Sequence, residues 1–339
     1  MPFARHRVVV LHDAIPPSAG ADEQDSRQQA AAVSAALRRL GYEVEPVAFA
    51  DDLDTVRIRL AALAPSLVFN LVESRAGQGH LIDLAPALLG ELRLPFTGSP
   101  REGVFLTSHK VLAKRWLARH DCPTPAIVAD PGRPRGPGPW IVKSIWEDAS
   151  FGLDDDAVVI DSAQLAGRIA RRRAELGGEW FAEAYVPGRE FNVSLLETAG
   201  GCRVLPLAEI RFPGFAPDAP HIVGYRAKWV PDSFEYRQTT RHFDGCEPAL
   251  GDEMARLALR CWDIFGLRGY ARVDFRVDDA GCPWILEVNV NPCLAPEAGY
   301  AAAVAEARIP FDDAIASIVA AAGIGDIPDF SAYPGRTPA

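Results

Sequence analysis

Strand-like and helix-like segments alternate through roughly the first hundred residues of this chain and then give way to strands that come in pairs. Alternation of this kind builds an open α/β unit, and paired strands build an α+β one, so the chain holds two kinds of layer. Val8-Val9-Val10-Leu11 is an apolar run suited to a buried parallel strand, and Ser26 to Leu40 has helical spacing that Gly41 stops. Val44 to Phe49 reads as a strand, Asp52 to Leu63 as a helix, Leu67 to Leu71 as a strand, Leu81 to Leu92 as a helix, and Pro95-Phe96-Thr97 as a short strand. A dinucleotide-binding unit would need G-x-G-x-x-G after the first strand. The chain has His12-Asp13-Ala14-Ile15-Pro16-Pro17 there, so that reading is set aside.

A helix is expected from Thr107 to His120, followed by a strand, and the Pro- and Gly-rich run from Asp130 to Pro139 can be neither helix nor sheet interior. Beyond it come strands at Trp140 to Lys143, Val158 to Ile160, Trp180 to Tyr185, Phe191 to Leu196 and Val204 to Ile210, with a helix near Gln164 to Leu176. Arg211 to Arg241 reads as a loop rich in Pro, Gly and aromatics. A helix over Glu253 to Phe265, strands at Ala271 to Val277 and Trp284 to Asn289, and a helix over Phe311 to Ala322 complete the pattern.

Composition narrows the function. With 339 residues the chain has room for two or three domains, and 48% hydrophobic against 24% charged residues excludes a disordered, collagen-like or coiled-coil chain. Lys plus Arg number 35 against 45 Asp plus Glu, a net charge of −10, which argues against nucleic acid or an anionic membrane as partner. The six cysteines form no C-x-x-C and suggest neither a zinc site nor a disulfide ladder, in keeping with a reducing compartment. No apolar run approaches the roughly 20 residues that span a bilayer, and the expectation is a cytoplasmic protein.

The chemistry-bearing residues concentrate near the C-terminal strands. Asp278-Asp279-Ala280-Gly281 would turn Arg272-Val273-Asp274-Phe275 back onto Ile285-Leu286-Glu287-Val288-Asn289 as a hairpin. Glu287 and Asn289 share a face, and with Asp274 opposite them two carboxylates and an amide oxygen converge, a hard-oxygen set for Mg²⁺ with phosphate oxygens. The same pattern also describes a solvated polar face. Lys143 ends an apolar strand, and Lys110 stands in the first turns of the helix from Thr107; each is either a surface charge or a phosphate ligand. Glu147-Asp148-Ala149-Ser150-Phe151-Gly152 is a small-residue loop able to close over phosphates with its backbone N–H groups. Glu183 and Glu190 flank Ala184-Tyr185-Val186-Pro187-Gly188-Arg189, whose backbone could bond an adenine while a carboxylate takes ribose hydroxyls.

Taken in order, Thr97-Gly98-Ser99-Pro100, His109-Lys110, Ile141-Val142-Lys143, Glu183 with Gly188-Arg189-Glu190, Ala227-Lys228, Arg272-Val273-Asp274 and Leu286 through Pro292 make the chain resemble the D-alanine–D-alanine ligase branch of the ATP-grasp superfamily. The resemblance runs from the first strand to about Gly323. It implies an α/β subdomain over 1–100, a central α+β lobe over 101–187, a C-terminal α+β lobe over 188–325 and a tail over 326–339, with ATP gripped between the two lobes. It further implies that Lys110, Lys143 and Lys228 hold phosphates under the Ser150 to Gly152 loop. Glu183 with Ala184, Tyr185 and Val186 would read adenine between Ile141 and Leu286, and Glu190 would bind ribose. Asp274, Glu287 and Asn289 would hold two Mg²⁺ ions, with Mn²⁺ as a substitute, and, as in many relatives, a homodimer is a possible assembly. The implied reaction turns a carboxylate into an acyl phosphate that an amine opens to an amide, with Arg272 stabilising the oxyanion.

Two stretches depart from the family pattern. The family holds its first amino acid through a Glu near the first strand, a Ser in the phosphate loop and a Tyr after the third lysine; here the last two positions carry Ala149 and Trp229, and the opening motif is replaced by Pro16 to Glu23. Cys293 stands for a Gly after Asn291-Pro292, no Ser follows it, and Asn70-Leu71-Val72-Glu73-Ser74 replaces a His-Gly segment. The expectation is an ATP- and Mg²⁺-dependent carboxylate–amine ligase that forms a dipeptide-like amide from small carboxylate and amine substrates, amino acids but not clearly D-alanine, in a rebuilt pocket drawn from Glu23, Glu73, His80, Trp229 and Glu297. The rivals are a true D-alanine–D-alanine ligase, a phosphotransferase without an amine acceptor, and a nucleotide-binding module without turnover. Cys293 has no His near it in sequence and is expected to be a buried neutral thiol.

Overall fold

A computed structural model describes residues 6–14, 21–134, 136, 138–148, 150–216 and 219–325; the side chains of 21–24 and the expected tail lie outside that description. The first unit is a parallel sheet of β1 (Arg7–Asp13), β2 (Glu43–Phe49) and β3 (Leu67–Asn70) in the order β2-β1-β3, with α1 (Ala21–Arg39), α2 (Leu53–Leu63) and α3 (Leu84–Glu91) between and after the strands. The apolar run in β1 is fully buried because both faces are covered. Val8 and Val10 join a core with α1, and Val9 and Leu11 join another with α2 and α3. Helix α3 starts later than its hydrophobic pattern suggests, after a 3-10 turn over Gly79–Leu81. Pro86 is tolerated at its third position, since first-turn N–H groups have no intrahelical acceptor. The expected strand at Pro95–Thr97 is reduced to one parallel bridge between Val68 and Phe96.

The single helix expected from Thr107 is instead two, α4 (Arg101–Ser108) and α5 (Lys110–Arg119), broken at His109. His109 has an extended backbone and its ring accepts from the Leu112 N–H at 3.2 Å, so it caps α5 and makes Lys110 the first helical residue. A small antiparallel sheet follows, from β4 (Trp140–Ser144), β5 (Val158–Val159) and, after α6 (Leu165–Leu176), β6 (Trp180–Ala184), in the order β5-β4-β6. Trp140, Val142, Leu165, Ile169 and Trp180 close its own core.

The largest sheet is antiparallel and contains β7 (Arg189–Thr198), β8 (Gly201–Val204) and β9 (Ala208–Arg211). The strand expected over Val204 to Ile210 is split into β8 and β9 because Pro206 has no N–H to give a ladder. The stretch expected as one loop from Arg211 to Arg241 carries two single-turn helices, α7 (Tyr225–Trp229) and α8 (Phe234–Gln238), and the start of β10 (Thr240–His242). Their brevity hid them from periodicity. After α9 (Pro248–Ile264) come β11 (Tyr270–Val277) and β12 (Pro283–Asn289), giving the order β10-β9-β7-β11-β12. Helix α9 packs on one face of this sheet. Helices α10 (Gly299–Glu306) and α11 (Phe311–Ala321) pack between the other face and α1, joining the two units through a shared core that includes Tyr270 and Tyr300. Among the described residues no helix is long and apolar enough to cross a membrane.

Candidate active site

The hairpin of β11 and β12 sets the floor of a cleft between the small and large antiparallel sheets. Register places Asp274 opposite Glu287 and Arg272 opposite Asn289, as the expected hairpin requires. A bulge at this point gives β12 one extra residue, Leu286, between the pairs Asp274–Glu287 and Phe275–Ile285. Strict alternation would send Leu286 to the opposite face from Glu287. The bulge brings both into the lining of the cleft.

Alternation along β11 puts Arg272, Asp274 and Arg276 on one side. The Arg272 guanidinium grips Asp274 with two bonds of 2.7 Å, and the Asn192 amide of β7 donates to the same carboxylate at 2.8 Å. Such a fork fixes direction as well as charge. Burial alone would raise the Glu287 carboxyl, but Lys110, Lys143, Arg272 and Lys228 surround it and hold it down at about 2, so it is ionised. The Asn289 amide oxygen accepts from the Asn291 N–H at 2.9 Å, and the residue lines a small adjoining pocket shared with Lys110, Asp148 and Glu287.

Cations enter from three elements. Lys110, at the start of α5, reaches Asp148 at 2.6 Å and the Glu147 carbonyl at 2.9 Å. Lys143 on β4 reaches Glu183 at 2.9 Å, and Lys228 comes from α7. The carboxylate of Glu183, with no exposed surface, is held between Lys143 and Lys114, the latter at 2.6 Å. Two ammonium groups keep its pKa below the ordinary value in spite of burial. Lys114 also donates to the Leu286 carbonyl at 3.0 Å, so one side chain ties α5, β6 and β12 together. This occupies the Glu183 carboxylate, and the following residues Ala184, Tyr185 and Val186 line the cleft. The Tyr185 N–H donates to the Pro139 carbonyl at 2.9 Å.

The loop after β4 has Ser150 at a positive φ, its hydroxyl donating to the Val223 carbonyl at 2.6 Å. Gly152, also at positive φ, does not line the cleft: a Cβ there would collide with the Trp180 ring, so its role is close packing of the loop. The walls include Ile141, Ala184, Tyr185, Val186, Glu190 and Leu286. Sequence reading missed Lys114, Asn192 and Arg276. Lys114 was readable as the i+4 partner of Lys110 on one helix face, and Arg276 as the third charged residue of an alternating strand.

The residues expected for a rebuilt substrate pocket do not gather here. Glu73, His80, Trp229 and Glu297 line neither cavity, and the side chain of Glu23 lies outside the described residues. Glu73 accepts from Gln29 at 3.0 Å near Asp13 and Asp25, and burial followed by the Asp13 charge pushes its pKa up to about 8. Gln29 in turn accepts from the Leu294 N–H at 2.6 Å. His80 is exposed, its ring 6.1 Å from Trp146. Trp229 is half-buried on α7, and Glu297 is exposed. The Cys293 thiol donates to Asp25 at 3.1 Å, and burial pushes its pKa up, which leaves it neutral.

Among the described residues no three or more His, Cys, Asp or Glu side chains cluster around a common point for a metal. The donor set of Asp274, Glu287 and Asn289 is therefore two carboxylates and an amide. That fits Mg²⁺, which is usually held by one or two carboxylates while substrate phosphates and water fill the remaining positions.

A cleft with this ring of cations over a paired-carboxylate hairpin, between two α+β lobes, defines an ATP-grasp carboxylate–amine ligase of the ADP-forming type, a class that uses ATP and Mg²⁺. Residues 137–320, more than half of the chain, match the family model described as D-ala D-ala ligase C-terminus. The chain is 31% identical over 329 residues to a D-alanine–D-alanine ligase of Chromohalobacter salexigens, covering 93% of this chain and 94% of that protein. It is 33% identical over 273 residues to one from Cereibacter sphaeroides, covering 78% and 80%. The fold is shared with the D-alanine–D-alanine ligase of Bacillus anthracis, at TM-score 0.72 and 20% identity over 94% and 97% of the two chains. It is also shared with the VanG D-Ala:D-Ser ligase of Enterococcus faecalis, at 0.71 and 14% over 94% and 99%. The chain belongs to the D-alanine–D-alanine ligase family.

Proposed function

We propose that the protein joins D-alanine, as the activated carboxylate, to the amine of a second D-alanine or a related D-amino acid at the expense of ATP. The relatives support D-alanine better than the substrate change expected from Ala149, Trp229 and Cys293. The observation that carries the reading is the meeting of Lys110, Lys143, Lys228, Asp274 and Glu287 in one cleft, with Arg272 braced on Asp274 beside it. Pure nucleotide binding does not need that arrangement.

In this reading the carboxylate of D-alanine attacks the γ-phosphorus of ATP, giving D-alanyl phosphate and ADP. The incoming amine then adds to the acyl carbon, loses a proton and expels phosphate. Lys110, Lys143 and Lys228 neutralise the charge on the transferring group, and Arg272, held in place by Asp274, faces the oxyanion of the tetrahedral intermediate. Asp274, Glu287 and Asn289 would hold Mg²⁺, which supplies charge neutralisation for the phosphates when bound. The backbone at Ala184 to Val186 would meet the adenine between Ile141 and Leu286, and Glu190 the ribose hydroxyls. The two lobes of this proposal are 101–187 and 188–325; the small sheet of the first has a core of its own, while Val104, Ala113, Leu117 and Cys122 of the first pack into the core of the second.

A panel of D- and L-amino acids, alone and in pairs, tests this through phosphate release from Mg·ATP and mass spectrometry of the products. D-Alanine is expected in every productive pair, with D-alanyl-D-alanine or a D-alanyl-D-amino acid formed. Turnover only with pairs that lack D-alanine overturns the proposal.

A further inference from the structure

Among the residues that the ligase chemistry leaves unused, Arg276 is held on every side. It is 3% exposed, although it lines the nucleotide cleft. Register sets it directly across from Glu190 on β7, and its Nη2 lies 3.0 Å from Glu190 Oε2. Its Nη1 donates to the Gly188 carbonyl at 3.1 Å, and Nη2 donates also to the His221 carbonyl. The guanidinium sits 5.7 Å from the centre of the Tyr185 ring and 6.0 Å from that of Phe212. Gly188 makes this possible: at its positive φ it lies so close to the Val277 carbonyl that a Cβ would collide with it. The cation is thus held by a carboxylate, two carbonyls and two aromatic faces.

The consequence falls on Glu190. A carboxylate offers acceptors on both oxygens to two neighbouring hydroxyls, and an ion pair that fixes one oxygen fixes the direction of the other. Glu190 is 9% exposed. Burial raises the Glu190 carboxyl above its ordinary value, Arg276 opposes that most strongly, and Asp274, on the neighbouring strand, adds to the rise. Lys143 and Lys228 help Arg276 from farther away.

We infer that Arg276 is a positioning residue that orients the Glu190 carboxyl as an acceptor for the vicinal hydroxyls of the nucleotide sugar, and so sets the preference for ribonucleotides over deoxyribonucleotides. The inference rests on the nucleotide reading of this cleft given above. Arg276 reaches the sugar through Glu190 and takes no part in phosphoryl transfer.

The test is direct titration of the full chain with Mg·ATP and with Mg·2′-deoxy-ATP by calorimetry, which needs no substrate and no turnover. Wild-type protein is expected to prefer ATP by about tenfold, the worth of one hydrogen bond to a charged group. In Arg276→Met the preference is expected to fall to within about twofold of unity, almost all of it through weaker ATP binding. A lesion that merely loosens the lobe would weaken both nucleotides alike and leave the ratio intact. Should Arg276→Met fail to fold, Glu190→Gln, which keeps the size of the side chain, is expected to lose the same preference. A ratio that survives in either folded variant, or wild-type protein that binds both nucleotides equally, overturns the inference. Wild-type protein that binds neither nucleotide overturns instead the nucleotide reading on which it rests.

Discussion

The nucleotide cleft and the polar cluster under the first sheet are built on opposite rules. In the cleft, opposite charges meet because strand register and helix spacing deliver them in pairs: Asp274 to Arg272, Glu190 to Arg276, Glu183 to Lys143 and Lys114. In the cluster, like charges meet at strand ends and loops. Asp13 accepts from the Glu73 and Ser74 N–H groups, and Glu73 leans on Gln29 while Asp13 and Asp25 raise its pKa. The cleft is therefore electrostatically assembled before any ligand arrives, and the cluster holds a proton to relieve its own repulsion.

Four substitutions break or sharpen this contrast. Glu287→Ala removes a carboxylate that register has placed among four cations, and turnover is expected to drop by at least about a thousandfold, which initial-rate measurements read. Thermal melting should show the fold retained; near-normal activity would sink the metal assignment. Lys114→Met leaves Glu183 with one ammonium instead of two at a fully buried site, and is expected to cost about 3 kcal/mol of stability in chemical denaturation. An effect below the error of the fit would mean that the buried pair contributes nothing. Gly152→Ala forces a methyl into the Trp180 ring at a positive φ, and a loss of about 1–3 kcal/mol is expected in the same assay.

The smallest effect is a slope rather than a loss. The Glu73 carboxyl is raised from 4.5 to about 8 in the folded chain, so between those values the folded state keeps a proton that the unfolded state has released. Its contribution to stability is therefore present below pH 4.5 and fades as the pH climbs to about 8. Melting temperatures of the wild type should fall across that window more steeply than those of Glu73→Gln. Parallel curves would remove the cluster from the comparison.

The contrast also explains what the sequence made legible. The hairpin around Asp278 to Gly281 and the pairing of Asp274 with Glu287 were readable because alternation and a turn fix both. The bulge at Leu286 was not, since one extra residue leaves no mark on composition. The break at His109 was hidden because apolar spacing runs on across it, while a side-chain cap, invisible to periodicity, ends one helix and starts the next. Lys110 and Lys143 were legible from their placement at a helix start and a strand end, Lys228 only through the motif resemblance, and Arg276 went unread because no motif contains it. Of the residues expected in a rebuilt pocket, Glu73 stands at a strand end and His80, Trp229 and Glu297 sit on loops or short turns, where spacing carries no geometry.

The most direct test of the central claim, that this cleft activates a carboxylate through an acyl phosphate, follows oxygen. With D-alanine labelled by ¹⁸O in both carboxylate positions and unlabelled Mg·ATP, the attacking oxygen leaves with the phosphoryl group, so the account predicts one ¹⁸O in each released phosphate. Released phosphate without label would contradict it.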